Sequence, residues 1–247
     1  MKKFNILILA AGRGRRLGNK TLKNPKPLMN FKEKYLLDYQ FDVYKKFQNI
    51  KIHMVLGYQA KKIQSHLKDK KIKTFINQDF KKTNMYYSFL KAKSLLNQKR
   101  DLVVVYGDII FKKKIFDKLI KDNSNIGVCV DKNYLSYWKK RMKDPLKDLE
   151  TMLIKNQFIV QLGKKPSTYK EIQGQYMGLI KFSYKKFDQI KKIIKSINIK
   201  NNHYKNLYFT DFIQVLIDNN IKAKAVKVSG NWQEFDKPKD FKIDNYS

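Results

Sequence analysis

The amino-acid sequence predicts an α/β fold in which helices flank a central sheet that is mixed but mostly parallel. Strand-like and helix-like segments alternate along the chain without a long linker, and this alternation implies crossover connections between parallel strands. Residues 102–106 are apolar without a break, which is typical of a central strand covered on both faces. Because 247 residues are enough for one large core, we expect a single domain over residues 1–247.

Hydrophobic periodicity predicts the elements one by one. Strands are expected at residues 4–9, 51–56, 72–76, 102–106, 127–130, 152–154, 158–162, 176–182 and 223–228. Helices are expected at residues 35–47, 59–67, 85–96, 112–121, 184–197 and 209–219, with a closing helix from residue 238. The two strands at 152–154 and 158–162 are expected to form a hairpin.

The charge of the chain is strongly positive, at +33 with 54 Lys and Arg against 21 Asp and Glu. The lysines are spread over the whole sequence, and it contains neither a dense arginine-rich arm nor a known nucleic-acid-binding signature. Compositional bias without function, attraction of small anionic substrates and a polyanionic partner stay open as explanations. The first is favoured, and a nucleic-acid partner is not expected.

The sequence also bears on the cellular compartment. No apolar run approaches the roughly 20 residues that span a bilayer, so membrane insertion is not expected. The N-terminus is short and basic and runs directly into the first strand, without a secretory cleavage site. Cys129 is the single cysteine, which excludes an internal disulfide and suits a reducing environment. We therefore expect a soluble cytoplasmic protein.

Residues 6–18, with the sequence ILILAAGRGRRLG, predict a phosphate-binding loop. A buried strand breaks there into a glycine-punctuated turn that carries three arginines. Glycines let backbone N–H groups approach phosphate oxygens, and guanidinium groups match phosphate geometry. Lys26 follows between Pro25 and Pro27, which restrict its backbone. Together these residues predict a site for a triphosphate.

Two better-known phosphate loops are excluded by the glycine spacing. Leu17 stands where the dinucleotide-binding fingerprint needs its third glycine. Counted from Gly12 or Gly14, Leu17 or Asn19 stands where the Walker loop needs its second glycine. The remaining pattern is Leu-Ala-Ala-Gly-x-Gly-x-Arg-Leu with Pro-Lys-Pro-Leu downstream. It resembles the nucleotidyltransferases that make nucleoside-diphosphate sugars and related CDP-alcohols.

Two acidic positions follow predicted strands. Asp108 comes after Gly107 at the end of the apolar strand, where ligands bind in open α/β sheets. Glu234 and Asp236 follow the last strand, and alternation places them on one face. Taken alone, these acids are equally well explained as turn and surface residues. The resemblance implies that Asp108 and Asp236 bind Mg²⁺, a cation that prefers carboxylates, water and substrate phosphates.

The stretch Asn84-Met85-Tyr86-Tyr87-Ser88 indicates a subgroup. It is similar to the Asn-x-x-Tyr-Ser element of the phosphocholine and 2-aminoethylphosphonate cytidylyltransferases. The resemblance implies a single Rossmann-like (GT-A-like) nucleotidyltransferase domain that joins CTP to a small phosphorylated or phosphonate amine and releases pyrophosphate. The product would be an activated head group for cell-surface glycan or lipid decoration. A sugar-1-phosphate uridylyl- or thymidylyltransferase and a non-catalytic RNA-binding or regulatory module remain as alternatives.

The resemblance also implies roles for individual residues. Arg16 and Lys26 are expected to be catalytic, through charge neutralisation on the phosphates. The nucleotide is expected to contact Leu9, Ala10, Ala11, Gly12, Gly14, Arg15, Asn84, Ser88 and Tyr106. Arg15 stands where the family usually has Ser or Thr, so its role stays open.

The acceptor is expected to bind an insertion at about residues 134–182. Aromatic faces attract ammonium groups, although most aromatic residues of so aromatic a chain are equally well explained as core. The expected acceptor-binding residues are Tyr137, Trp138, Glu150, Tyr176, Tyr208 and Asp211. Glu150 or Asp211 would pair with the cation of the acceptor. The sequence leaves a homodimer open.

Overall fold

A computed structural model describes residues 2–200 and 203–247. Its strands are β1 (Phe4–Ala10), β2 (Asn30–Phe31), β3 (Lys34–Tyr35), β4 (Ile50–Leu56), β5 (Lys73–Ile76), β6 (Asp101–Tyr106), β7 (Ile109–Phe111), β8 (Ile126–Asp131), β9 (Met152–Lys155), β10 (Phe158–Leu162), β11 (Gln175–Phe182), β12 (Ala223–Val228) and β13 (Trp232–Glu234). Its α-helices are α1 (Lys20–Lys23), α2 (Leu36–Tyr44), α3 (Ala60–His66), α4 (Met85–Lys91), α5 (Lys113–Lys121), α6 (Tyr134–Arg141), α7 (Phe187–Lys200) and α8 (Phe209–Asp218). Short 3₁₀ helices include Arg15–Leu17, Lys26–Leu28, Lys93–Asn97 and Pro238–Lys242.

Nine strands form one sheet in the order β5-β4-β1-β6-β11-β8-β12-β10-β9. Parallel pairing joins β1 to β4 and to β6, and β8 to β12. Strands β10 and β11 run antiparallel to their neighbours, so the other strands of the sheet all point the same way. The predicted α/β class with a mixed, mostly parallel sheet is confirmed, and so is the hairpin of β9 and β10.

The apolar pattern of β1 explains how the sheet is covered. Ile6 and Ile8 pack on one face, and Leu7 and Leu9 on the other, because successive side chains of a strand point to opposite faces. Helices α4, α7 and α8 cover the Leu7 face, and α2, α3, α5 and α6 cover the Ile8 face. Strand β1 is buried along its whole length, which is why it is apolar apart from the buried Asn5.

Four predicted helices differ from the structure by three residues or more, and the one expected at 35–47 ends at Tyr44. The helix expected at 85–96 ends at Lys91 and continues as a 3₁₀ helix, and the one expected from 184 becomes an α-helix only at Phe187. The closing helix is the single 3₁₀ helix Pro238–Lys242. At its end, the carbonyls of Asp240 and Ile243 accept hydrogen bonds from the Gln233 amide, which satisfies these carbonyls outside the helix.

The segment at 134–182 contains α6 and contributes β9, β10 and β11 to the main sheet. Strand β11 lies between β6 and β8, so this segment reaches the centre of the sheet as well as its edge. Among the helices that the structure describes, none is both long and apolar enough to cross a membrane.

Candidate active site

A first cleft lies at the carboxyl ends of β1 and β6, where the chain breaks into the glycine loop and Gly107-Asp108. Its empty volume is about 630 Å³, and it is lined by Leu9, Ala10, Ala11, Gly12, Gly14, Lys26, Pro27, Phe80, Thr83, Asn84, Met85, Ser88, Tyr106, Gly107 and Asp108. Every residue expected to contact the nucleotide lines this cleft except Arg15, whose side chain is exposed. The structure therefore gathers nearly the whole predicted nucleotide set around one cavity.

Gly14 shows why the loop needs glycine. Its φ is +67°, and a Cβ atom there would lie 3.2 Å from both Lys26 Cε and Thr21 Cγ2. Both the left-handed backbone conformation and the lack of room for a Cβ atom favour glycine at this position. The lysine side chain thus passes directly over the loop on its way to the cleft. The loop is tied to the end of β4 by a hydrogen bond from the Tyr58 N–H to the Ala11 carbonyl, at 3.0 Å.

Asn84 and Ser88 belong to the first turns of α4 and are held by hydrogen bonds. The Asn84 side chain accepts from the Met85 N–H at 2.8 Å and caps the helix. The Asn77 amide donates to the Ser88 hydroxyl at 3.0 Å and to the Thr83 hydroxyl at 3.1 Å. These contacts fix the wall of the first cleft opposite the glycine loop.

Lys26 joins the two predicted metal-binding carboxylates. Its Nζ lies 2.8 Å from Asp108 Oδ2 and 3.2 Å from Asp236 Oδ1. Burial alone would lower the pKa of this ammonium, but Asp108 and Asp236 outweigh it and raise the pKa. Arg16 Nε lies 2.8 Å from Asp236 Oδ2. Both residues predicted to be catalytic therefore contact the predicted metal ligands.

The two acids meet because two short strands pair. Strand β13 runs antiparallel to β7, with Glu234 opposite Ile109, and the Phe235 N–H donates to the Asp108 carbonyl at 2.9 Å. This pairing carries Asp236 across to the carboxyl end of β6. The spacing of Asp108 and Asp236 along the sequence does not reveal that the two acids meet.

The chemistry of these oxygens fits Mg²⁺. The Lys26 ammonium already lies between Asp108 and Asp236, so both carboxylates can converge on one cation. In the described part of the chain no cluster of three or more His, Cys, Asp or Glu side chains is arranged to hold a metal ion. Mg²⁺ commonly uses one or two carboxylates and completes its shell with water and substrate phosphates. Two carboxylates at the edge of the first cleft match that requirement.

A second cleft opens beside the first and shares Met85 and Tyr106 with it. Its empty volume is about 1040 Å³, and it is lined by Arg16, Met85, Tyr106, Ile109, Trp138, Asp148, Glu150, Gln175, Tyr176, Met177, Gly178, Tyr208, Thr210, Trp232 and Glu234. Arg16 and Glu234 belong to this lining, whereas Lys26 and Asp108 line the first cleft. The ion cluster formed by Lys26, Arg16, Asp108 and Asp236 therefore lies where the two clefts meet.

Four of the six expected acceptor residues line the second cleft, namely Trp138, Glu150, Tyr176 and Tyr208. Tyr137 lies behind the wall, where its hydroxyl donates to the Glu234 carbonyl at 3.2 Å and accepts from the Glu234 N–H at 3.0 Å. Asp211 is also outside the lining, and its carboxylate accepts from the Tyr208 N–H at 2.8 Å. That contact caps the start of α8.

Glu150 is distinguished by its lack of a cationic partner. Asp148 pairs with Lys237 and Glu234 with Arg141, but no ion pair within residues 2–200 and 203–247 involves Glu150. Burial, together with the nearby carboxylates of Asp211 and Glu234, raises the pKa of Glu150 to about 7. Among the three acids that line the second cleft, Glu150 is therefore the one without an ion-pair partner in the described residues.

Gln175 and Gly178 are site residues that sequence reasoning missed. The Gln175 side-chain oxygen is buried, and the described residues offer it no hydrogen-bond partner. Gly178 has φ +74°, and a Cβ there would lie 2.7 Å from the Tyr106 ring. The glycine thus lets Tyr106 stand between the two clefts, edge-on to Tyr176 with ring centroids 5.7 Å apart. For Gly178, the signal in the sequence is a glycine inside a strand-like segment.

With this site, comparison with known proteins defines the class. The family of MobA-like NTP transferase domains matches residues 6–162. The chain belongs to that family and is a nucleotidyltransferase. It is 36% identical to the CTP:phosphoglutamine cytidylyltransferase of Campylobacter jejuni subsp. jejuni, over 97% of this chain and 98% of that relative. It is 26% identical to the bifunctional protein GlmU of Methanococcus maripaludis, of which it spans 52%.

Solved structures show the same fold. The CTP:phosphocholine cytidylyltransferase LicC from Streptococcus pneumoniae has a TM-score of 0.75 at 19% identity, with 97% of this chain and 96% of that chain covered. The inositol-1-phosphate CTP transferase from T. maritima has a TM-score of 0.72 at 19% identity, with 97% and 92% covered. The resemblance to nucleotidyltransferases stated from the sequence motifs is confirmed.

Proposed function

We propose that this protein is a Mg²⁺-dependent cytidylyltransferase that joins CTP to a small phosphorylated amine, with phosphoglutamine as the first candidate acceptor. One observation carries the proposal. The two clefts share Met85 and Tyr106, and Lys26, Asp108 and Asp236 form an ion cluster where the clefts meet. A triphosphate in one cleft and a phosphorylated acceptor in the other would bring their reacting groups to that cluster.

The reaction needs no side-chain nucleophile. A phosphoryl oxygen of the acceptor attacks the α-phosphorus of CTP, the bond from that phosphorus to the bridging oxygen breaks, and pyrophosphate leaves with the electron pair. The N–H groups of Gly12 and Gly14 can donate to phosphate oxygens, and Lys26 and Arg16 neutralise the charge that spreads over them. Such alignment and charge stabilisation account for catalysis in this type of transfer.

Asp108 and Asp236 would hold the metal. When bound, Mg²⁺ supplies Lewis acidity and a template for the phosphates. Lys26 and Arg16 contact the same carboxylates, so both cationic side chains lie within reach of phosphates bound beside them. Their positive charge stays within the site.

The second cleft supports an acceptor that carries an amine or amide. Among its polar groups, the Glu150 carboxylate accepts a hydrogen bond from Thr210 but has no cationic partner, and the buried Gln175 side-chain oxygen has no hydrogen-bond partner among the described residues. Both groups can accept hydrogen bonds from a ligand. Trp138 and Tyr176 provide aromatic faces beside them, which suits an ammonium group. Of the two carboxylates considered for the cation, we assign Glu150, because Asp211 caps α8. The similarity to the phosphoglutamine enzyme agrees with such a ligand.

The test is pyrophosphate release from purified protein with Mg²⁺, one nucleoside triphosphate and one acceptor at a time. CTP, UTP and dTTP would be combined with phosphoglutamine, phosphocholine, phosphoethanolamine, 2-aminoethylphosphonate and glucose-1-phosphate. We expect turnover with CTP and an amine-bearing acceptor, and none when the acceptor or Mg²⁺ is left out. Turnover only with a hexose-1-phosphate and UTP or dTTP would refute the proposal in favour of a sugar nucleotidyltransferase. Tight RNA binding without any turnover would refute both.

The product, a CDP-linked amine, would serve as an activated donor for decorating surface glycans or lipids. We place the reaction in the cytoplasm, because CTP is available there and Cys129, the single cysteine, forms no disulfide. A homodimer is compatible with the proposal, and light scattering of the purified protein would test it.

A further inference from the structure

Helix α6 holds the segment that carries Asp236 through a buried arginine. The Arg141 side chain is 1% exposed. Its Nε and Nη2 donate to the two carboxylate oxygens of Asp240 at 3.1 and 3.3 Å, and its Nη1 donates to Glu234 Oε2 at 2.7 Å. A guanidinium that bridges two carboxylates in this way is held in one orientation by its fixed geometry.

Asp240 passes this constraint to the backbone of the predicted metal ligand. One oxygen of its carboxylate accepts from the Asp236 N–H at 2.8 Å and from the Lys237 N–H at 2.7 Å. Asp240 is completely buried, so water cannot replace these bonds. The orientation of Asp236 therefore depends on where the Asp240 carboxylate lies, and Arg141 determines that position.

The same helix reaches the second cleft. The Tyr137 hydroxyl hydrogen-bonds to both the carbonyl and the N–H of Glu234, and Trp138 lines the cleft. The Arg141 guanidinium lies over both rings, 5.3 and 4.9 Å from their centroids. Helix α6 thus connects the acceptor wall to the Asp236 segment.

We propose that Arg141 is a positioning residue: through Asp240 it holds Asp236 in the orientation that binds the divalent cation. This role rests on the proposed function, because it assumes that Asp236 is a metal ligand. It gives α6 a role in orienting Asp236, which is separate from the acceptor contacts expected of Tyr137 and Trp138. Groups that orient metal ligands typically change metal affinity about 10- to 100-fold when altered.

The experiment compares Arg141→Lys with the wild-type protein. Lysine keeps the positive charge, but one ammonium cannot reproduce the forked contacts to both carboxylates. Mn²⁺ alone is titrated into each protein and the free ion is followed by electron paramagnetic resonance. We expect about 10- to 100-fold weaker Mn²⁺ binding. Arg100→Lys is the matched control, since Arg100 donates to Asn5 and to the Phe4 carbonyl at the opposite end of β1, and its Mn²⁺ affinity should equal that of the wild type.

A second pair of variants guards against a protein that fails to fold. Tyr137→Phe removes only the hydroxyl that brackets Glu234, and Tyr86→Phe removes a buried hydroxyl that donates to Asn198 at 3.1 Å. We expect weaker Mn²⁺ binding for Tyr137→Phe alone. Unchanged Mn²⁺ affinity in both Arg141→Lys and Tyr137→Phe, with a lower Tm, would overturn the proposal and leave Arg141 a purely stabilising residue. If the wild type binds Mn²⁺ but turns over no acceptor, the proposed function fails, while the Mn²⁺ comparison still decides the role of Arg141.

Discussion

The ammonium of Lys26 lies 2.8 Å from the carboxylate of Asp108, although 82 positions separate them in the chain. Asp236 completes this arrangement at 3.2 Å. The contact places a buried lysine between the two acids that we propose as the ligands of the divalent cation. The Lys26 ammonium and a divalent cation would compete for the same carboxylate oxygens, and the first prediction follows from this competition.

Lys26→Met should lower turnover by about 10²–10³, the usual effect of removing one charge-stabilising donor. It should at the same time raise the affinity for Mn²⁺ alone, because Asp108 and Asp236 lose the competing ammonium. Mn²⁺ should then raise the Tm of the variant more than that of the wild type. Lys23→Met, at the exposed last residue of α1, should change neither quantity. Weaker Mn²⁺ binding in Lys26→Met would contradict the competition.

Asp236→Asn should destabilise the protein more than Asp108→Asn. The Asp236 side chain is 6% exposed and contacts both Lys26 and Arg16, whereas the Asp108 side chain is 21% exposed. Removing one partner of a buried ion pair costs up to about 3–5 kcal/mol of the free energy of unfolding. Urea denaturation measures the difference. Asp117→Asn is the control, since its pair with Lys121 lies on the surface of α5 and contributes about 0–1 kcal/mol. Equal losses in the two site variants would contradict this ranking.

Much of the fold and of the nucleotide cleft could be predicted from local sequence. Strands β1 and β6 are mostly apolar, with runs at residues 6–10 and 102–106, and the glycine loop brings its own backbone to the cleft, so neither depends on distant residues. The meeting of Asp108 and Asp236 around Lys26 depends instead on the pairing of β7 with β13, which are three residues each. Strands so short have no readable period, and the sequence motif alone implied that the acids meet.

The residues of the second cleft were harder to predict from the sequence, for a related reason. Tyr137 and Trp138 are neighbours in sequence, yet only Trp138 lines the second cleft, because successive residues of a helix face different directions. Arg141 and Asp240 resemble the many other charged residues of the chain. Only the packing of α6 on the Asp236 segment distinguishes them.

Glu150→Gln should change how the reaction depends on pH. The pKa of Glu150 is about 7, so the carboxylate that attracts an ammonium forms as the pH rises through that value. In the wild type, kcat/KM for an amine-bearing acceptor should rise with pH near 7, since this ratio reports groups of the free enzyme. The variant should lose this rise. Because the acceptor phosphate also ionises, a phosphorylated alcohol without an amine serves as the reference, and equal pH profiles for the two acceptors in the wild type would contradict the role of Glu150.

The same residue should affect stability with a defined sign. The folded-state pKa of Glu150 lies above its ordinary value, so the folded protein holds this proton more tightly than the unfolded chain. Stability is therefore lost as the pH rises from the ordinary carboxyl range to about 7, and the cost is complete above that pH. Glu150→Gln should raise the Tm relative to wild type at pH 8 and less so at pH 4. A larger gain at pH 4 would show that the sign is wrong.

Gly178→Ala tests whether Tyr106 separates the two clefts. The added methyl group would lie 2.7 Å from the Tyr106 ring at a residue with φ +74°, so the ring must move into one of the clefts. Alanine at positive φ by itself costs more than about 0.4–1 kcal/mol. Gly230→Ala is the matched control, because Gly230 has φ +53° and a Cβ there would meet nothing within 4 Å.

Both variants should therefore lose stability, but only Gly178→Ala should raise the KM for CTP or for the acceptor. Steady-state kinetics with each substrate varied in turn, at a temperature where both variants are folded, measures the difference. The substrate whose KM rises identifies the cleft that the displaced ring enters. If the two variants show the same KM values, Tyr106 tolerates the methyl group by moving elsewhere, and its position between the clefts does not control substrate binding.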